Sequence, residues 1–162
     1  MKRWVVICWL VSCHRVAKPQ VQTADEIVSV YAKVAFGASL ADAKVSLPKL
    51  QPSGWSRGSQ ATWLSVDEGV ELEIDADKVT GVSVSFGPDR GADAERKLRD
   101  RLGEGVECTT LPEGIASFRP TLWRLSDGGA VMLVRKQRVL ELHVAKPASP
   151  AFEAAWTSCQ GR

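Results

Sequence analysis

The sequence predicts an α+β fold built from two tandem α-plus-β-meander units, whose strands join into one antiparallel sheet with helices packed on one face. Three observations predict it. Val70-Glu-Leu-Glu-Ile74 alternates apolar and charged residues with strict period two, the mark of a half-buried strand. Two short helical patterns stand ahead of such strands. A shift of 60 residues without gaps aligns seven identical residues across 33 positions: Pro52/Pro112, Gly54/Gly114, Trp63/Trp123, Asp67/Asp127, Gly69/Gly129, Val79/Val139 and Val84/Val144. One unit of about this size is marginal alone, and pairing two lengthens the apolar layer beneath the sheet.

Each element follows from local chemistry. Thr23-Ala-Asp-Glu26 has the form of a capping box, and Ile27, Val30, Tyr31 and Val34 follow at helical spacing, with Gly37 as the expected stop. Ser39-Leu-Ala-Asp42 opens a second helix, Leu40 to Leu47, that Pro48 ends. Strands are predicted over Ala61 to Val66, Val70 to Ile74 and Val79 to Phe86, with a turn at Asp75-Ala-Asp-Lys78. Pro52-x-Gly54 and Pro112-x-Gly114 are read as turns between helix and sheet, and the Asp-x-Gly pairs at 67–69 and 127–129 as hairpin bends. Ala92 to Leu102 is the helix of the second unit, and Ser149-Pro150 caps a last one through Trp156. The division is therefore residues 1–12 as signal peptide, 13–22 as tether, 23–88 as the first unit and 89–162 as the second with its C-terminal helix.

The leader carries its own signal. Lys2 and Arg3 precede an apolar stretch of eight residues, Trp4 to Val11, long enough for a signal-peptide core and too short to span a bilayer. Leu10-Val11-Ser12-Cys13 resembles the bacterial lipobox. The resemblance implies cleavage before Cys13, a diacylglyceryl thioether on its thiol, and acyl chains that hold the protein to a membrane. His14 follows the cysteine where an Asp would resemble an inner-membrane retention mark, so the periplasmic side of the outer membrane is expected. A plain cleaved signal, giving a secreted or periplasmic protein, and a buried N-terminal strand are the alternatives.

Charge bounds the partners. The chain has 21 Lys+Arg and 19 Asp+Glu, and two of the basic residues lie in the leader, so the remaining 150 residues carry 19 of each sign. No net field draws such a chain to nucleic acid, and a nucleic-acid partner is not expected. With Cys8 in the leader and Cys13 given to lipid, Cys108 and Cys159 remain. In an oxidising compartment they predict one disulfide, the alternative being two buried thiols. No Cys-x-x-Cys spacing supports zinc or redox chemistry.

Asp25 to Val45, with Gly37-Ala-Ser39 ahead of a short amphipathic helix, and Thr62-Trp63 followed by Val70-Glu-Leu-Glu-Ile-Asp-Ala-Asp-Lys-Val79, resemble the small lipoprotein of the outer-membrane β-barrel assembly machinery. Two such units in tandem resemble the β-lactamase-inhibitor-protein fold. The resemblance implies protein binding by a sheet face and not catalysis.

Catalytic signals are few. Gly54-Trp-Ser56-Arg-Gly58 matches Gly-x-Ser-x-Gly, but prolines precede it and strand residues follow, where a nucleophile elbow needs a strand before and a helix after. His143 sits inside a predicted strand, and its only fellow is His14. Asp75 and Asp77 lack a calcium-loop pattern behind them. No cofactor, metal or catalytic residue is expected. The two units differ on the side expected to face away from the core: Glu71 and Glu73 in the first, Val131 and Leu133 in the second, with an Arg135-Lys-Gln-Arg138 turn. A strand apolar on both faces is either covered or a binding surface. The expected contact patch is Val131, Leu133, His143 and Trp123, rimmed by Arg135 and Arg138, unless the helix with Phe152 and Trp156 covers it. The leading expectation is a non-catalytic envelope lipoprotein that binds a protein partner. An enzyme inhibitor of the β-lactamase-inhibitor-protein type and, more remotely, a small hydrolase are the alternatives.

Overall fold

A computed structural model describes residues 22–108 and 119–160. The leader, Cys13, the tether before Gln22, and the Pro112 and Gly114 turn all lie outside the described residues. Among those described, four helices accompany one eight-stranded antiparallel sheet, a mixed α+β architecture.

The helix α1 (Ala24–Tyr31) starts on a complete capping box: the Thr23 side chain accepts from the Glu26 amide, and the Glu26 carboxylate accepts from the Thr23 amide. The same device at Ser39 and Asp42 opens α2 (Leu40–Ser46). Strands β1 (Gln51–Arg57), β2 (Gln60–Ser65), β3 (Val70–Asp75) and β4 (Lys78–Phe86) follow. Then come α3 (Pro88–Leu102), β5 (Val106–Glu107), β6 (Thr121–Arg124), β7 (Ala130–Lys136), β8 (Val139–Ala145) and α4 (Pro150–Gln160).

Four boundaries differ from expectation, each for a physical reason. Helix α1 ends at Tyr31, six residues before Gly37, because Lys33 turns into the left-handed region with φ 58°. Pro52-x-Gly54 is no turn: both residues lie within β1, an edge strand exposed along its whole length. Edge strands tolerate proline, and this one bulges between Pro52 and Ser56. Helix α3 begins four residues earlier than Ala92, with Pro88 in its first turn, where a missing N–H costs nothing. Helix α4 runs on beyond Trp156 to Gln160.

The sheet order is β1-β2-β3-β4-β8-β7-β6-β5, so β4 and β8 meet in the middle. The register aligns side chains in rows across the strands. One row reads Trp63, Leu72, Val82, Val144, Val131, Trp123, and its members pack in the main core with Ile27 of α1, Leu47 at the C-cap of α2 and Leu98 of α3. The neighbouring row, on the opposite face, reads Gln51, Leu64, Glu71, Ser83, His143, Met132, Leu122, Val106 and crosses all eight strands. Polar but for Leu64 as far as His143, it is wholly apolar beyond it. There α4 lies over it.

The expectation of helices on one face is therefore corrected. Three helices cover one face, and α4 covers the apolar end of the other, where Phe152 packs with Leu122, Ala130 and Cys108. Phe152 and Trp156 stack at 5.6 Å, Arg124 lies over the Trp156 ring, and Arg124 pairs with Glu153 at 2.5 Å. Cys108 and Cys159 are joined in a disulfide that fixes the end of α4 beside β5. Apolar side chains at both faces of β7 are thus each covered from one side.

Candidate binding face

The predicted contact patch does not form as one surface. Val131 is fully buried, and Leu133 and Trp123 nearly so, all within the main core. The Trp123 indole N–H donates to the Gly103 carbonyl at 3.0 Å. The cause is register. Val131 faces Val144 and Leu133 faces Leu142, so both point to the helix side, whereas Met132 faces His143 on the other. Arg135 lies on the helix side too and pairs with Glu95 of α3. Arg138 belongs to the β7–β8 turn, beside the start of α3. Only His143 stands on the open face.

That open face is the candidate site. From β1 to β8 no described element covers it, over about 19 Å at the usual strand spacing, and α4 closes one side of it as a wall. Its floor carries Thr62 opposite Glu73, Glu71 opposite Ser83, and Ser85 opposite Glu141. Two hollows indent it. One, of about 300 Å³, is lined by Trp55, Thr62, Glu73, Ile74 and Thr80 among others. The second, of about 170 Å³, runs along the α4 wall between Gly81, Ser83, His143, Met132 and Phe152. Glu73 lines both.

Glu73 can lie there because residue 81 has no side chain. A Cβ on Gly81 would stand 2.5 Å from Glu73 Oε2, so the carboxylate rests over the β4 backbone where any other residue would displace it. Among the described residues no ion pair or hydrogen-bond donor engages the Glu73 carboxylate. The face has two prominent features that sequence reasoning left unplaced. Trp55, 52 % exposed, stands on an otherwise polar edge strand; one aromatic in Gln-Pro-Ser-Gly-Trp-Ser-Arg was the signal for it. Ser83 and Glu141 flank His143.

His143 Nδ1 lies 2.8 Å from Ser83 Oγ, and His143 Nε2 lies 3.3 Å from Glu141 Oε2. Glu141 also pairs with Lys136 at 2.5 Å. Hydroxyl, imidazole and carboxylate are thus in line, as acyl transfer requires. The surroundings differ from those of a hydrolase. Ser83 sits in the middle of a strand flanked by β3 and β8, whose ladders engage the backbone amides that would otherwise stabilise an oxyanion. Ser56, the serine of the Gly-x-Ser-x-Gly match, pairs with Ala61 on β1, four strands from His143. The arrangement orients the imidazole on the floor of the face. Among the described residues no group of three His, Cys, Asp or Glu is placed to hold a metal ion, and no helix is long and apolar enough to cross a membrane.

Comparison of the chain with family models, curated proteins and solved structures found no match.

Proposed function

We propose that this chain is a non-catalytic module of a bacterial envelope, anchored through lipid on Cys13, that binds a protein partner with the uncovered half of its sheet. The observation that carries the reading is the row across all eight strands. Its apolar end is sealed by the chain's own helix, and the rest, from Gln51 to His143 and polar but for Leu64, is left open by the described residues. A surface built for solvent alone has no need of a wall, a half-exposed tryptophan and two hollows sharing one carboxylate. The Cys108–Cys159 bond supports an oxidising compartment, in keeping with the lipobox-like Leu10 to Cys13.

The fold is read as a duplication. The ranges Val70–Asp75 and Ala130–Lys136, and Lys78–Phe86 and Val139–Ala145, recur close to 60 residues apart, and Trp63 and Trp123 stand three strands either side of the β4–β8 junction. The copies differ in β7. Val70 and Leu72 share the core face with Val131 and Leu133, an odd offset that reverses which residues point outward. The outward partners of Glu71 and Glu73 in the second copy are therefore Ala130, Met132 and Val134, which is why that copy needs α4.

The test is a photo-crosslinking amino acid placed singly at Thr62, Ser85, Lys97 and Arg96 in cells that produce the full chain. Thr62 and Ser85 should capture one and the same protein, and the α3 positions Lys97 and Arg96 should not. Equal capture from both faces, or none from the open one, refutes the reading.

A further inference from the structure

We propose that the hollow between Trp55 and Glu73 receives an arginine side chain of that protein partner; the inference rests on the open face being the binding face. Around Glu73 the floor of the face is acidic. Glu71, Glu73, Asp75 and Glu141 all project from the face. Of the nearby cations, Lys136 pairs with Glu141, His143 is held between Ser83 and Glu141, and Arg57 and Lys78 stand in the outer row Arg57, Gln60, Asp75, Lys78, beyond the residues that line the hollow. Glu73, like Glu71, has no donor among the described residues, and Glu73 lies at the meeting of both hollows, over Gly81. Trp55 supplies a flat apolar wall to the hollow that Glu73 lines.

A guanidinium satisfies both features at once. Its plane stacks on an indole while its fork offers paired N–H donors to a carboxylate. A lysine ammonium meets the charge but not the flat wall, and it is more strongly hydrated. The volume of about 300 Å³ leaves room for an extended side chain entering from solvent. Glycine at 81 then has a purpose in recognition: it lets Glu73 lie low enough for a guest to pass over it.

The probe is the tripeptide acetyl-Gly-Arg-Gly-amide, titrated into the ¹⁵N-labelled full chain in detergent micelles, beside its citrulline and lysine counterparts. The Trp55 indole N–H and the Gly81 amide resonances should shift saturably with the arginine peptide. Glu73→Gln and Trp55→Ala should each weaken apparent affinity at least five-fold, and Gly81→Ala should do so by displacing Glu73 while Trp55 stays in place. Equal shifts with citrulline, equal or tighter binding of the lysine peptide, or wild-type affinity in Glu73→Gln overturns the proposal. Crosslinking at Thr62 separates the two readings. Undiminished capture in Glu73→Gln with a flat titration removes the arginine pocket and leaves the binding face; loss of capture in the wild-type chain removes the face itself.

Discussion

The backbone amide of Ala24 donates to Asp127 Oδ2 at 3.0 Å, joining the first turn of α1 to the β6–β7 bend 103 residues later. The other carboxylate oxygen accepts from the Gly129 amide at 3.1 Å, and Lys146 approaches at 3.2 Å while also pairing with Asp25. Burial works to raise the Asp127 carboxyl, but the two amides and Lys146 together outweigh it and hold it below the usual carboxylate range. Asp67, its partner in the 60-residue alignment, instead pairs with the exposed Lys49. The aspartate of the β2–β3 bend and that of the β6–β7 bend thus have different uses.

Asp127→Asn should lower unfolding free energy by about 1–2 kcal/mol at neutral pH, the scale of a lost cap or charged hydrogen bond. Because the folded group titrates below the unfolded one, its contribution is present above about pH 4. It is lost as pH falls through the folded value. Urea melts from pH 7 to pH 2.5 should show the gap between wild type and variant close at the acid end. A gap constant with pH would mean that the carboxylate charge contributes nothing.

Cys159→Ser should cost about 4 kcal/mol on the chain-entropy view, given a sequence separation of 51 between the bonded cysteines. The loss should concentrate at the end of the sheet that α4 covers. Hydrogen exchange should quicken in α4 and β6 and stay slow in β3 and β4. Uniform quickening would show that the bond supports the whole fold alike.

Leu133→Asp should fail to give a folded soluble protein, since even Leu→Ala in a core costs about 2–5 kcal/mol. His143→Ala should remain folded and lose roughly 0.5–1.5 kcal/mol, the worth of one hydrogen bond. Circular dichroism and denaturant melts distinguish the pair. A folded Leu133→Asp would contradict the register of β7 against β8.

Cys13→Ser should release the chain from membranes into a soluble envelope fraction, and labelling with an alkyne fatty acid should be lost. Flotation of cell extracts reads both. Attachment that survives the substitution would reject the lipid anchor.

Where side-chain chemistry is local, the chain was readable from its residues. Thr23 with Glu26, Ser39 with Asp42, and the Ala76-Asp77 turn, with φ of 47° and 63°, each satisfy their own neighbours, so spacing alone reveals them. The β1 strand was not legible, since Gln51 to Arg57 carries neither alternation nor β-branched residues and takes its shape from pairing with β2. The direction of Val131 and Leu133 was hidden for a different reason. Ala-Val-Met-Leu-Val is apolar at every position, so both orientations fit the pattern, and only the pairing of β7 with β8 decides. The open face was legible in its charges, Glu71 and Glu73, but not in its hollows. One depends on Trp55 of β1 meeting Glu73 of β3, the other on Gly81 of β4 meeting His143 of β8, and no spacing in the sequence connects those strands.

The outermost strands bear on how these molecules tolerate one another. At one margin Pro52 offers no N–H and the bulge breaks the spacing of the remaining donors; at the other, β5 is two residues long. A foreign strand seeking to extend the ladder would find too few matched groups to hold it. Neighbouring copies are in this way kept from zipping edge to edge, and a second chain would have to meet the flat of the sheet instead of its rim.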